Sequence, residues 1–493
     1  MRNDKTRADI LALGFGTSVL MWAVGFFCRI PLGGIGADLS APPPGDVAAA
    51  VPAGVLFALL IACMIAGGIA AGRFADRGWR GGLWAGTLSA VLNLLIVLGV
   101  ASGKTPNSLS SSAALFVPGS ILAGAVLAAL GALLGSGFRV QGSGKAVDAL
   151  APKSQELRAK SQEPSVSPRL PVPPSPRPSL DWEMILTAIA AAATFLLIFV
   201  GGLVTSFSAG LQVPDWPNSF GYLMFFYPIS KMSGGIYYEH SHRLLGTLVG
   251  LTTLVLVVRT LWSASPRWLK LFSVVALLLV ITQGVLGGLR VIGHFTLSTS
   301  REQMAPSTTL AIVHGITAQL FFSLLVAWTA FSSRAWQQPT QYSSRRTRSD
   351  RILHVALVAL LVLQLISGAI VRHTTHLLHL HMTGAGLALV VAVVAGVRTW
   401  GLYSQCAILS RIARALMFLI GLQVSLGVVG LFTLGFVMER KSSALVQVIS
   451  TSSHQSCGVL LLGCAVLLLV WSRRLLVESP QTQQGPEAVR LAE

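Results

Sequence analysis

Residues 238–246, YEHSHRLLG, bring an acid and two histidines together at the start of a long apolar run. Ionisable side chains are costly in such a run and mark a working site by default. His242 is also one of four histidines at matched positions. His242 and His381 lie 139 residues apart, and His314 and His454 lie 140 apart. Within each pair the spacing is 72 residues for His242 and His314 and 73 for His381 and His454. Two imidazoles opposed at one depth clamp a flat iron macrocycle from both faces, the axial ligation that haem iron takes. Zinc is disfavoured, because neither pair has a third convergent ligand. Glu239 precedes His242 by three residues and so falls on the same helical face. A carboxylate there can accept protons or order water during an oxidation. The matching position of the second pair is Leu378. One pair is therefore equipped for chemistry and the other only for holding a redox haem.

Positioning these side chains falls to membrane helices. The chain has 493 residues, of which 53% are apolar and 11% charged, and its mean hydropathy is +0.70. That is the profile of a polytopic membrane protein. Apolar stretches predict twelve spans, near 8–28, 51–72, 80–100, 112–137, 183–204, 241–259, 271–292, 307–330, 353–371, 381–399, 412–434 and 447–471. The last eight read as an internal duplication. Besides the histidines, Gln283-x3-Gly287 recurs as Gln423-x3-Gly427, again 140 residues on. The unit is a four-helix bundle used twice. In an up-down bundle the second and fourth helices face each other diagonally, and those are the helices that carry the histidines. The expected fold is an all-α polytopic membrane protein, with an eight-helix core of two duplicated four-helix bundles behind a separate four-helix membrane module.

Residues 139–181 hold eight prolines and read as an extended, disordered cytoplasmic linker. The linker divides a module at 1–138 from a first bundle at 182–335, a second bundle at 353–475 and a cytoplasmic tail at 476–493. The module has no histidine, and runs such as MIAGGIAAG suit close helix packing rather than chemistry. It is expected to be an accessory, tethered by the linker and dispensable for the reaction. A net charge of +18 would suit a nucleic acid, but its distribution points to the lipid bilayer instead. Alternate loops collect 27 Lys and Arg on one side and 9 on the other, which puts both termini in the cytoplasm. The five cysteines form no CxxC site and no pair in an outer loop. The N-terminus reads as a retained first helix, since no small-residue cleavage site follows its apolar stretch.

The outer connection at 205–239 contains SAGLQVPDWPNSFG, whose turn formers and aromatics are fit to cap a pocket. The second bundle replaces it with a far shorter one. Arg243, Arg290 and Arg372 stand near outer helix ends, to meet propionates or to snorkel. His240 and His379 precede the ligands by two residues and should point elsewhere. His373 and His376 fall in a short outer loop, and His294 and His354 read as interfacial.

The segments GGLVTSFSAGLQVPDWPNSFG, EHSHRLLG, VHGITAQL, HLHMTGAG and STSSHQSCG resemble the haem A synthase family of integral membrane haem O oxidases. The resemblance covers roughly residues 182–475. It implies eight membrane helices in two related bundles, and oxidation of one methyl group of haem O to a formyl group during haem A biosynthesis for terminal oxidases. Two hydroxylations would give a geminal diol that loses water. It further implies that the substrate haem O sits between His242 and His314, with Glu239 as the catalytic residue, and that a haem b cofactor sits between His381 and His454. The haem O synthase and a membrane electron donor are the implied partners. Some members carry a cysteine pair in an outer loop, which this chain lacks, and the N-terminal module and linker fall outside the family's pattern. A dihaem cytochrome b-type electron-transfer subunit explains the four histidines, but not Glu239 or the long loop. A transporter would need Gly/Pro-interrupted helices at the midplane, and none is evident.

Overall fold

A backbone that crosses lipid must satisfy its own hydrogen bonds, so apolar runs of this length become helices. The computed structural model describes residues 8–29, 51–75, 77–103, 105–137, 180–292, 307–374, 376–438 and 444–478. Its helices are α1 (Ala8–Cys28), α2 (Ala53–Phe74), α3 (Trp79–Val97), α4 (Ala113–Gly137), α5 (Trp182–Ser206), α6 (Gly234–Trp262), α7 (Arg267–Ile292), α8 (Thr308–Ser332), the one-turn α9 (Arg334–Gln337), α10 (Thr347–Thr374), α11 (Leu378–Leu402), α12 (Ala407–Met438) and α13 (Ala444–Leu475). The chain is an all-α polytopic membrane protein. Among the described residues, eleven helices are long and apolar enough to cross a membrane. The segment expected at 80–100 forms α3, which falls outside that set. Its polar side chains turn toward α1, where Ser18 and Ser89 hydroxyls lie 3.1 Å apart and Asn93 Nδ2 lies 3.2 Å from Met21 Sδ.

Helices α5 to α8 form a ring in which each helix touches the next and α8 closes on α5. Helices α10 to α13 form a second ring in the same order, with α13 closing on α10. Thus α6 and α8 lie diagonally across the first ring, and α11 and α13 across the second. The rings join where α13 meets α5 and α8, and where α10 meets α8. Leu245, Leu248, Leu325 and Trp328 are buried in the first ring, and Leu357, Leu409, Leu461 and Leu468 in the second.

Two short strand pairs complete the description. β1 (Asn218–Ser219) pairs antiparallel with β2 (Tyr222–Leu223) in the connection between α5 and α6. β3 (Tyr342–Ser344) pairs parallel with β4 (Leu476–Glu478), so the segment expected as a tail begins as a strand against the connection between the rings.

The N-terminal module does not hang from its linker alone. Helix α1 lies against α5 and α6, and Phe15, Trp22 and Phe26 share a buried cluster with Leu186, Leu245 and Leu248. Within the module, Gly68 and Gly72 of α2 meet the backbone of Ala128 and Ala132 of α4, where a Cβ has no room. Residues 139–179 of the expected linker, 479–493 of the expected tail, and His294 lie outside the described residues.

Candidate functional site

His242 of α6 and His314 of α8 each stand about two turns into their helices, near the end of the ring where the α5–α6 connection lies. Their ring centroids are 6.4 Å apart, with planes crossing at 75°. His381 of α11 and His454 of α13 are also 6.4 Å apart, at 83°. Two imidazole nitrogens bonded at about 2 Å to opposite faces of one metal put the ring centres roughly 6 Å apart. Each pair therefore has the separation that one metal held between the rings requires. Among the described residues no three His, Cys, Asp or Glu side chains converge, so the pairs fit a metal that brings its remaining ligands with it.

The hydrogen-bond network sets which ring nitrogen each imidazole offers. His454 Nδ1 lies 3.1 Å from the Gln423 carbonyl oxygen, which can only accept. The proton therefore sits on Nδ1, and the Nε2 lone pair, which accepts from Gln423 Nε2 at 3.2 Å, is the one a metal would take. His381 Nδ1 lies 3.0 Å from Ser367 Oγ. The Ser367 hydroxyl donates to the Gln364 carbonyl at 3.2 Å, which leaves Oγ to accept from Nδ1. Among the described residues His242 Nδ1 and His314 Nδ1 meet no partner at full hydrogen-bond geometry, though the rings interact with the backbone carbonyls of Leu197 and Gln283.

Every one of these rings is seated against a glycine. A Cβ would lie 3.0 Å from His242 Cε1 at Gly201, 3.6 Å from His314 Cε1 at Gly287, 2.9 Å from His381 Cε1 at Gly368 and 3.0 Å from His454 Cε1 at Gly427. Gly287 and Gly427 are the landmarks that recur at one offset in the sequence. Gly201 and Gly368 are 167 residues apart, because the α5–α6 connection is longer than the α10–α11 one. A comparison at a single offset passes over them.

Glu239 is 4% exposed, and both its carboxylate oxygens are engaged. Oε2 accepts from Val213 N at 2.8 Å, and Oε1 accepts from Arg243 Nη2 at 2.8 Å. Arg243 neither snorkels nor faces the histidines. It donates to the carbonyl oxygens of Asp215 (2.7 Å), Asn218 (3.0 Å) and Val213 (2.8 Å), because a buried guanidinium must be surrounded by acceptors. His240, 1% exposed, meets Ser219 Oγ at 3.1 Å through Nδ1 and packs its ring 5.0 Å from Tyr227. The phenol of Tyr227, in the connection itself, is pushed above its ordinary pKa by burial and by its neighbour Tyr222. Trp216 packs on Gly288 of α7. The 207–233 segment is thus fastened to α6 and α7 beside the first histidine pair.

Two further arginines differ from Arg243. Arg372 of α10 donates to the Gly202 carbonyl (2.9 Å) and to Ser206 Oγ (2.7 Å) of α5, bridging the rings. Arg290 of α7 packs its guanidinium against Gly210. Among the described residues the Nε atoms of both are buried without a partner. His354 is not interfacial. It is 1% exposed, and its two ring nitrogens meet Ser472 Oγ (3.0 Å) and Thr399 Oγ1 (3.1 Å), which is what allows it inside the second ring.

No curated protein matches the chain. A family model described as cytochrome oxidase assembly protein, COX15-CtaA, matches residues 184–385, a span that holds Glu239, His242, His314 and His381 and ends before His454. Through that span the chain is similar to the COX15-CtaA cytochrome oxidase assembly proteins.

Proposed function

We propose that the chain is a haem A synthase, which oxidises one methyl group of haem O to a formyl group by two hydroxylations, each a two-electron oxidation whose oxidant and oxygen atom come from outside the chain, and loss of water from the resulting diol. The observation that carries this reading is the inequality of two otherwise matched sites. Both histidine pairs stand 6.4 Å apart, yet only the first lies beside a loop fastened by a buried carboxylate and guanidinium. The substrate haem O is assigned to His242 and His314, and a haem b cofactor to His381 and His454. Haem b, when bound, supplies one-electron chemistry.

The chain's own residues bind, orient and manage protons. The Gln423 carbonyl and Ser367 Oγ hold the Nδ1 protons of the second pair, which fixes the orientation of both rings and suits a resident cofactor. Glu239 is the acid–base candidate, one helical turn from His242 and held by two hydrogen bonds. Arg290 and Arg372, whose buried Nε atoms have no partner among the described residues, suit carboxylates such as haem propionates.

The test is expression of the full chain in a host that makes haem O but no haem A, followed by extraction of the bound porphyrins. Haem A beside haem b is the expected result. Haem b alone would make the chain a dihaem electron-transfer subunit, and haem O recovered unchanged would overturn the oxidation.

A further inference from the structure

Residues 207–233 form a connection with little structure of its own. Its only strands among the described residues are β1 and β2, two residues each. Ordering a segment of that length costs conformational entropy at every residue, so its position depends on what grips it. One side is held by α6 and α7, through Glu239, His240, Arg243 and the packing of Trp216 on Gly288. The other side is held by the N-terminal module.

Two contacts make that second grip, and a third holds the start of α6 where the connection ends. Asn107, in the connection between α3 and α4, accepts from Leu223 N at 2.6 Å through Oδ1 and donates to the Gly221 carbonyl at 3.5 Å. These backbone groups belong to the turn and second strand of the β1–β2 hairpin, whose turn amides at Phe220 and Gly221 donate to Asp215 at 2.6 and 2.8 Å. Gly99, just after α3, lies against the Tyr227 carbonyl so closely that a Cβ has no room. In α1, the Phe26 carbonyl accepts from Tyr237 OH at 2.6 Å, and the Phe26 ring stacks on Tyr237 at 5.4 Å. Tyr238 stacks on Phe207 at 4.6 Å and meets the edge of Phe26 at 6.4 Å. Tyr237 and Tyr238 directly precede Glu239.

We propose that the N-terminal module is a positioning element of the first histidine site, and that Asn107 is the residue through which it fixes the β1–β2 hairpin over that site. This rests on the reading of the first pair as the substrate site. The module is part of the enzyme's working structure rather than a passenger on a linker. Asn107 touches none of the reacting groups and acts through the hairpin, Asp215 and Val213 on Arg243 and Glu239.

The geometry of Asn107 supplies its own controls. Its φ is +62°, a conformation that glycine adopts freely. Asn107→Gly therefore keeps the turn and removes only the carboxamide, while Asn107→Asp keeps the acceptor for Leu223 N. Leu223 has φ −55°, which proline accepts, so Leu223→Pro removes the same hydrogen bond from the other partner and leaves Asn107 untouched.

The full-length chain and these variants are compared by amide hydrogen exchange over 218–224 and by haem O turnover. Asn107→Gly should speed exchange of that segment roughly tenfold, the effect of losing about one hydrogen bond. It should also raise KM for haem O while leaving the spectrum of the haem at His381 and His454 unchanged. Leu223→Pro should reproduce the turnover effect, and Asn107→Asp should restore most of both. Unchanged exchange and unchanged KM in Asn107→Gly and Leu223→Pro would overturn the proposal. Faster exchange in a chain that never converts haem O would remove the substrate assignment and leave the grip on the hairpin intact. Normal turnover with unmoved exchange would do the reverse.

Discussion

The carboxylate of Glu239 has two oxygens and two donors, Val213 N and Arg243 Nη2. Glu239→Gln offers one acceptor oxygen in place of two, so one donor must face an amide NH2. Leaving a buried donor unsatisfied costs about 1–3 kcal/mol, which a multi-helix protein survives. Haem content should stay near that of the parent, because imidazoles and not carboxylates hold iron. Conversion of haem O should fall sharply or stop at the alcohol, and ordinary haem A production by the Gln variant would remove Glu239 from the reaction. His381→Leu and His454→Leu should each abolish one low-spin haem signal in the purified protein and leave the first site's signal in place. A spectrum that survives both changes would end the ligand assignment. The position of Glu239 three residues before His242 was legible in the sequence, and so was the pairing of the histidines. The partners of Glu239 and Arg243 were not, since Val213 stands 26 and 30 residues away in a segment without periodicity.

A helix can bring an imidazole to a metal only as close as its neighbour's backbone permits. At Gly368 of α10 a Cβ would stand 2.9 Å from His381 Cε1, closer than ordinary van der Waals contact. Gly368→Ala should therefore push the ring by a few tenths of an ångström and shift the absorption maximum or potential of the second-site haem. An unchanged spectrum would mean that the ring has slack. At the opposite end of the same ring, the Tyr403 hydroxyl donates to buried Asp350 and lies 3.2 Å from Ser344 Oγ, while Arg398 Nε donates to the same carboxylate. Burial and the bond to Asp350 push the Tyr403 phenol from 10.0 up to about 12. A raised phenol contributes stability that is complete below its unfolded value and is lost as pH climbs through the folded one. The parent's melting temperature in detergent should thus fall more steeply than that of Tyr403→Phe between about pH 10 and 12. Parallel slopes would sink that account. The helices themselves were legible, because lipid demands long apolar runs with closed backbones. Each expected span lies on one of the long helices, and most of these helices run on by a turn or so into polar flanks such as Gly234–Tyr238.

The docking of the N-terminal module was the least legible feature of the molecule. A membrane helix such as α1 is apolar all round, so composition does not mark which face meets protein and which meets lipid. The contact between Asn107 and the β1–β2 hairpin also bears on how the whole chain sits in its membrane. It joins the segment before α4 to the segment after α5, so these two helices must cross in opposite directions and the connections must lie on one face. The strand pair β3–β4 and the α11–α12 connection lie at the other end. Lys and Arg divide 27 to 9 between the two sides, and basic residues are retained on the cytoplasmic side. The hairpin and both histidine sites should therefore lie toward the non-cytoplasmic face, with β3, β4 and Gln405 in the cytoplasm. Ser111 and Gln405 are exposed at opposite ends, whereas Cys63, Cys406, Cys457 and Cys464 are buried and Cys28 is half-buried. In intact cells a membrane-impermeant maleimide should label Ser111→Cys above the parent's background, and should reach Gln405→Cys only after permeabilisation. The reverse pattern would invert the orientation. Labelling of both positions from one side would break the two-sided arrangement on which the histidine depths and the Asn107 contact both depend.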